Sequence, residues 1–222
     1  MSNRKGSSAF GLSLTAALSM TIDHVAVALM SNSALYIPLR AAGRTAFVIF
    51  AFLIAQSVEK TSSVKRFCTR LAVFAVITEP IFDITFYGVP FYPAHQNIFF
   101  TLLAGVAAVS AYKRYRLNGR WIVCGIVLSA HLLGFDYGGI GVMLIWAFWL
   151  CGRDKSAYVV AVFAAVTALE GGLPNLFALL AIPLILLYNG RRGGEKYPVL
   201  RRWFFYFYYP AHIAAIAMAK LI

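Results

Sequence analysis

Acidic side chains are scarce. Eight Asp and Glu residues stand against twenty Lys and Arg in a chain of 222, and charged residues of both signs make up only 13% of it. An ordinary soluble domain is excluded, because 61% of the chain is hydrophobic and would expose more apolar surface than water tolerates. Cysteine is rarer still. Cys68, Cys124 and Cys151 lack metal-ligand spacing, which rules out a disulfide framework and a zinc site and leaves packing thiols. No internal repeat, low-complexity tract or separate polar domain interrupts the chain. The glycine runs GFDYGGIG and LEGGLPN match no phosphate-cradling motif and read as turns and close helix contacts.

What the chain has instead is apolar length, with a mean hydropathy of +0.75. Stretches able to cross a bilayer recur from end to end. They fall at Phe10–Met30, Gly43–Ser57, Phe67–Phe86, Asn97–Tyr112, Trp121–Leu133, Gly138–Leu150, Ser156–Glu170, Pro174–Tyr188 and Trp203–Leu221. The predicted fold is therefore all-α, a polytopic transmembrane helix bundle forming a single integral-membrane domain over residues 1–222. About nine spans are expected (seven to ten, since the short fifth-to-eighth segments are also compatible with re-entrant hairpins). The beginning, MSNRKGSSAF, resembles a signal peptide. Its apolar run continues to about Met30, which favours an uncleaved first span.

A net charge of +12 would suggest a nucleic-acid partner in a soluble protein. Distribution overrides the sum here. Arg4, Lys5, Lys60, Lys65, Arg66, Arg70, Lys113, Arg114, Arg116, Arg120, Arg153, Lys155, Arg191, Arg192, Lys196, Arg201 and Arg202 all fall on one side, leaving only Arg40, Arg44 and Lys220 elsewhere. Seventeen against three is a strong positive-inside pattern. It puts the amino terminus in the cytoplasm, predicts a multi-pass protein of the bacterial inner membrane and leaves no nucleic-acid role. Basic loops of this kind attract anionic membrane lipid; they are also able to grip the phosphates of a cytoplasmic cofactor.

Glu59, Asp154 and Glu195 lie among the cytoplasmic cations. The remaining acids are Asp23, Glu79, Asp83, Asp136 and Glu170. At about 1.5 Å per helical residue, His24, Arg44, Glu79 and Asp83 lie roughly 3–9 Å to the outer side of their span midpoints. Ionisable groups at such depth are costly unless paired or hydrated, so an outward-opening polar pocket is expected. Asp23 and His24 point about 100° apart on one helix and need separate partners. Arg44 is the natural counter-ion of Asp23. Glu79 and Asp83 share a helix face across Pro80, and one of them is placed to orient the His24 ring. His95, Gln96 and Asn97 form a polar cluster in an outer loop, with Asn97 also suited to N-cap the following helix. His131 and His212 read as structural.

These same residues carry a family likeness. TIDHVAVAL, LRAAGRTAFVIFAFLIAQ, ITEPIFDI and QNIFFTLLAG resemble, in that order, the TraX family, most clearly over residues 14–106. The resemblance implies a multi-span acetyltransferase that uses acetyl-CoA as acyl donor and the amino terminus of a conjugative pilin subunit as acceptor. It also carries a distant similarity to membrane-bound acyltransferases that acetylate sugars. Carried over to this chain, the family's pattern falls on Asp23, His24, Arg44, Glu79, Asp83, Gln96 and Asn97.

The chemistry expected is acetyl transfer from a thioester to a neutral amine. His24 would act as base, with Arg44 or the amides of Gln96 and Asn97 stabilising the oxyanion. Glu79 or Asp83 would hold the base or attract the acceptor ammonium, Asp23 would brace the pocket against Arg44, and His95 would join the substrate- and oxyanion-binding groups. Arg66, Arg114 and Arg116 are the candidates for the phosphates of acetyl-CoA. An outward pocket and a cytoplasmic donor require either that the pantetheine arm threads inward or that His24 carries the acetyl group. Two other acceptor and function classes stay open: a glycan or lipid hydroxyl as acceptor, and a proton-coupled small-molecule transporter. The transporter class would place similar groups at mid-depth, but typically shows related halves. An assembly partner would need no such pocket. No metal ligand set is present.

Overall fold

In the computed structural model the described residues are 6–221. Arg4 and Lys5, which the charge pattern assigns to the cytoplasm, lie outside them. Helices are the regular structure of the described residues, no strand is present among them, and their extended pairings are two isolated bridges, Ser7–Tyr188 and Gln96–Phe135. The helices are α1 (Ala9–Leu29), α2 (Tyr36–Gly43), α3 (Thr45–Lys60), α4 (Val64–Tyr87), α5 (Ile98–Tyr115), α6 (Gly119–Leu132), α7 (Gly138–Cys151), α8 (Ser156–Gly171), α9 (Ala181–Leu186) and α10 (Pro198–Ala219). Tight 3-10 turns occupy Arg116–Asn118 and Leu173–Leu180.

Helix starts follow local chemistry. The first N–H groups of a helix lack internal partners. Ser8 accepts from Gly11 N at 3.1 Å, Ser63 from Arg66 N at 3.3 Å and Asn97 from Phe99 N at 3.0 Å, opening α1, α4 and α5. Gly88 ends α4 at φ +74°, a conformation that a side chain would strain. Pro198 opens α10 at a position where no N–H is needed.

Two predicted spans differ from the structure. The second is longer: α2 and α3 run from Tyr36 to Lys60 with a break at Arg44, and Pro38 fits because it lies in the first turn of α2. The eighth is not one helix. Leu173–Leu180 is 3-10 and only Ala181–Leu186 is α-helical, since Pro183 has no N–H to reach back to Leu179. Within α4, by contrast, Pro80 is accommodated and the helix continues to Tyr87.

The chain forms two compact units, with the boundary inside α3. The first comprises residues up to Leu53 together with those from Arg153 onward. In it α1 packs on α2 and α10, and the 3-10 segment packs on α2 and α8. Leu12, Val48, Ile49, Phe52, Ile185 and Ile213 form its buried interior. The second unit, Ile54–Gly152, is built around α5, which packs against α4, α6 and α7. One cluster of its core is small-residued, with Ala104, Ala108, Val123, Ala130 and Val142 flanked by Tyr112, Phe135 and Trp146, while Leu71, Phe99, Leu102, Ile145 and Phe148 are also fully buried in this unit. At one end of this unit Glu59 accepts from Lys113 at 3.0 Å and from the Trp149 indole.

Two helical stretches among the described residues, Ala9–Leu29 and Tyr36–Lys60, are long and apolar enough to cross a membrane. Shorter apolar helices cover Gly138–Cys151, Ser156–Gly171 and Leu173–Leu186. Many large apolar side chains lie on the outside, among them Leu18, Val76, Leu132, Tyr158 and Leu169.

Close packing of α5 on α7 depends on Gly105, where an added Cβ would meet Ile145 Cβ and Cγ2 at 3.0 Å and overlap its Cδ1. Gly105→Ala is expected to destabilise the protein by about 1–3 kcal/mol through overpacking. Gly125→Ala on α6 meets nothing within 4 Å; as a helical Gly→Ala change it should be neutral or stabilising by up to about 1 kcal/mol. Thermal unfolding of the detergent-solubilised variants reads both, and equal melting of the two would refute the packing assignment.

Candidate active site

The site in the first unit begins at the break between α2 and α3. Ending α2 strands carbonyls that need donors. The Ser19 hydroxyl from α1 lies 2.8 Å from Ala42 O and 3.2 Å from Gly43 O, and 2.8 Å from the Thr45 hydroxyl. One turn further along α1, Asp23 sits over the same break. Arg44 Nη2 donates to Asp23 Oδ1 at 2.9 Å and Oδ2 at 3.0 Å, and Arg40 Nη1 donates to Oδ2. Gly43 permits the approach, because a Cβ there would overlap the Asp23 side chain. Arg44 Nη1 reaches Asn175 Oδ1 at 3.3 Å, and Asn175 Nδ2 donates to Thr167 O at 2.8 Å, tying the 3-10 segment and α8 into the network.

The Asp23–Arg44 pair expected from depth is thus present, with Arg40 as a second cation. Two guanidiniums against one carboxylate leave the group with a net positive charge. Arg40 and Arg44 are four residues apart on a helical run, the spacing that puts both on one face. The signal was readable, but a span begun at Gly43 left Arg40 outside it.

His24 turns toward α10, which packs on α1. Its Nδ1 lies 2.8 Å from His212 Nε2, and His212 Nδ1 lies 3.0 Å from Tyr208 O. The two imidazoles are nearly parallel at 7°. The partner at His24 Nδ1 is His212, because the face of α1 that bears His24 looks onto α10. His212 stood out in the sequence only as a mid-membrane histidine in an aromatic run, and its partner is supplied by tertiary packing.

Glu79 and Asp83 belong to the second unit and hold the connection between α4 and α5. Glu79 Oε2 accepts from Asn97 N at 3.0 Å and from the Asn97 side-chain amide, which also donates to Ala75 O at 2.8 Å. The fully buried Asp83 accepts from Tyr92 N at 2.7 Å through Oδ2. Gln96 Nε2 donates to Pro93 O at 2.8 Å, and Gln96 pairs through its backbone with Gly134 and Asp136 at 2.9 and 3.0 Å. The Gln96 and Asn97 amides assigned to an oxyanion are therefore engaged within this loop, and the N-cap reading of Asn97 holds.

His95 stacks on Phe82 at 5.9 Å and faces Asp136 Oδ1 from Nε2 at 3.8 Å, a charge pair wider than a hydrogen bond. The Asp136 carboxylate raises the His95 imidazole above its ordinary 6.5, against the opposing effect of partial burial; Glu79 and Asp83 reinforce the upward direction. Arg66, at the start of α4, and Arg114 and Arg116, at the end of α5, are exposed. Packed helices joined by a short connection run antiparallel, so these cations share one end of the second unit. Arg114 lies over the Tyr115 ring at 5.5 Å. His131 and Glu170 are exposed at the ends of α6 and α8. No metal-binding group of His, Cys, Asp and Glu exists among the described residues.

Comparison with known proteins adds two similarities. The family profile described as TraX protein matches residues 11–220. A probable fimbrial assembly protein FimC, serogroup H1, of Dichelobacter nodosus is 25% identical over 244 residues, covering 100% of this chain and 99% of that protein. No solved structure is a match.

Removing Asp23 strands two guanidiniums in a largely apolar interior. Asp23→Asn is expected to cost about 3–5 kcal/mol, and adding Arg40→Gln should recover part of the loss; purely additive losses in a double-mutant cycle would refute the network. The His95–Asp136 pair has the opposite pH profile to a simple carboxylate brace. A raised folded pKa means its stabilisation is fully present below about pH 6.5 and is lost as pH rises through the higher folded value. Unfolding of wild type and Asp136→Asn should therefore differ more at pH 5.5 than at pH 9, and a larger difference at the alkaline end would overturn the assignment. Partial exposure keeps the effect small.

Proposed function

The chain belongs to the TraX family, and from that premise we propose that it is a membrane-embedded acetyltransferase that moves an acetyl group from acetyl-CoA to the amino terminus of a pilin subunit. The name of its relative, a probable fimbrial assembly protein, supports a pilus-associated role. The proposed setting is the bacterial cytoplasmic membrane, crossed by about nine spans with the amino terminus inside. Two apolar helices of spanning length and the one-sided cations support that setting.

The observation that carries the reading is a half-buried imidazole, His24, held at one ring nitrogen and next in sequence to a carboxylate that organises two arginines. An imidazole held in this way offers its other ring nitrogen as a general base. An amino terminus with a pKa of about 8 is mostly ammonium at pH 7 and attacks only as the neutral amine. As its nitrogen bonds to the thioester carbonyl carbon, its surplus proton passes to the His24 imidazole. The carbon–sulfur bond then breaks, and the leaving sulfur takes that proton to become the CoA thiol. Arg40 and Arg44, net positive with Asp23, suit the transient oxyanion. For the donor, the exposed Arg66, Arg114 and Arg116 fit the phosphates of CoA in charge and accessibility.

One observation favours a second acceptor class. The net positive charge of the Asp23–Arg40–Arg44 group repels an ammonium but not a neutral hydroxyl, so a glycan or lipid hydroxyl is the alternative acceptor.

Incubating the purified protein with isotopically labelled acetyl-CoA and candidate pilin peptides, glycans and lipids, followed by mass spectrometry, tests both. Label is expected on the peptide amino terminus, and His24→Ala should lower the rate by about 10²–10⁴-fold while melting like wild type. Normal transfer by His24→Ala removes His24 from the chemistry. Label on no acceptor removes the enzyme reading.

A further inference from the structure

His212 deserves a role of its own, and hydrogen-bond logic supplies it. The Tyr208 carbonyl only accepts, so His212 Nδ1, 3.0 Å away, carries a proton. In a neutral imidazole the other nitrogen then bears the lone pair. That nitrogen, His212 Nε2, lies 2.8 Å from His24 Nδ1. Two acceptors cannot share a hydrogen bond, so His24 Nδ1 is the donor, and the basic lone pair of neutral His24 is on Nε2. The backbone carbonyl of Tyr208 thereby dictates, through His212, which nitrogen of His24 is basic.

The surroundings hold this chain in place. His212 is 8% exposed, so water competes little for its nitrogens. Its ring lies parallel to Tyr208 at 5.2 Å and edge-on to Tyr209 at 5.4 Å. Tyr208 is itself anchored to α1: its hydroxyl lies 2.7 Å from Thr21 Oγ1, which donates to Ala17 O at 3.0 Å. α10 is thus fastened to α1 by Tyr208 and by His212, four residues apart on one face.

We propose that His212 is a positioning residue that fixes His24 in the Nδ1–H tautomer and presents Nε2 as the proton acceptor. This rests on the reading of His24 as the base. The arrangement asks for no rearrangement during the reaction: when Nε2 gains a proton, Nδ1–H goes on donating to His212, whose lone pair faces the new cation. The logic is that of an oriented base in an acyl-transfer triad, with a neutral imidazole in place of the carboxylate.

Nitrogen-15 NMR of histidine-labelled protein in micelles tests it, with His24→Gln identifying the His24 signals. Wild type is expected to show His24 protonated at Nδ1 with Nε2 in the lone-pair range. His212→Leu should mix the tautomers and lower kcat on the order of 10²-fold with KM unchanged. His212→Gln, whose amide oxygen reaches the position of Nε2 and accepts, should restore both the tautomer and most of the rate. A wild-type His24 protonated at Nε2 overturns the proposal even if His212→Leu fails to fold; so does an unchanged tautomer in a folded His212→Leu. The spectra need no turnover, so absence of acetyl transfer in wild type overturns the enzyme reading separately.

Discussion

A carboxylate buried against apolar helices needs cations within hydrogen-bonding reach, and Asp23 has two. Much of the first unit is arranged by that requirement. The break between α2 and α3 sets Arg40 and Arg44 on one face, and Gly43 gives the carboxylate room. Ser19 caps the carbonyls left by the break, and Asn175 brings the 3-10 segment to the far side of Arg44. With Asp23 fixed, the next residue on α1 is turned about 100° away, onto α10. His24 and His212 meet there as a consequence of how the neighbouring ion group is seated.

The second unit solves a similar problem for a different end. Glu79 and Asp83, one turn apart on α4, accept backbone N–H groups of Asn97 and Tyr92 and so convert two costly acids into anchors for the 88–97 connection. The same connection pairs with the 134–136 turn through Gln96. Both carboxylates, expected from their depth to be functional, bond backbone donors of this connection. The chemistry proposed for the protein rests instead on the imidazole pair and the arginines of the first unit.

Family membership narrows the field without choosing the acceptor. A pilin amino terminus and a neutral hydroxyl differ in charge at pH 7, and the site's net positive character bears on that difference directly. The leaving thiol and the proton's route are the same for both. In the proposed reaction, acceptor identity would therefore depend on groups that recognise the rest of the acceptor, whereas the transfer step would depend on the His24 nitrogen and its orientation.

The order of helical segments and the few acids and histidines set among apolar residues were legible in the sequence, because hydropathy and helical rise are local properties. So was the Asp23–Arg44 pair, since matching depth and opposite charge leave few partners. Side chains meeting across helices from remote parts of the chain were not legible. His24 with His212, and Arg44 with Asn175, are joined by packing between α1 and α10 and between α2 and the 3-10 segment. Helical periodicity says which face a residue occupies; only the tertiary arrangement says what stands opposite. Composition and helical spacing dictate which groups must find partners in an apolar interior, and the packing of remote helices selects those partners.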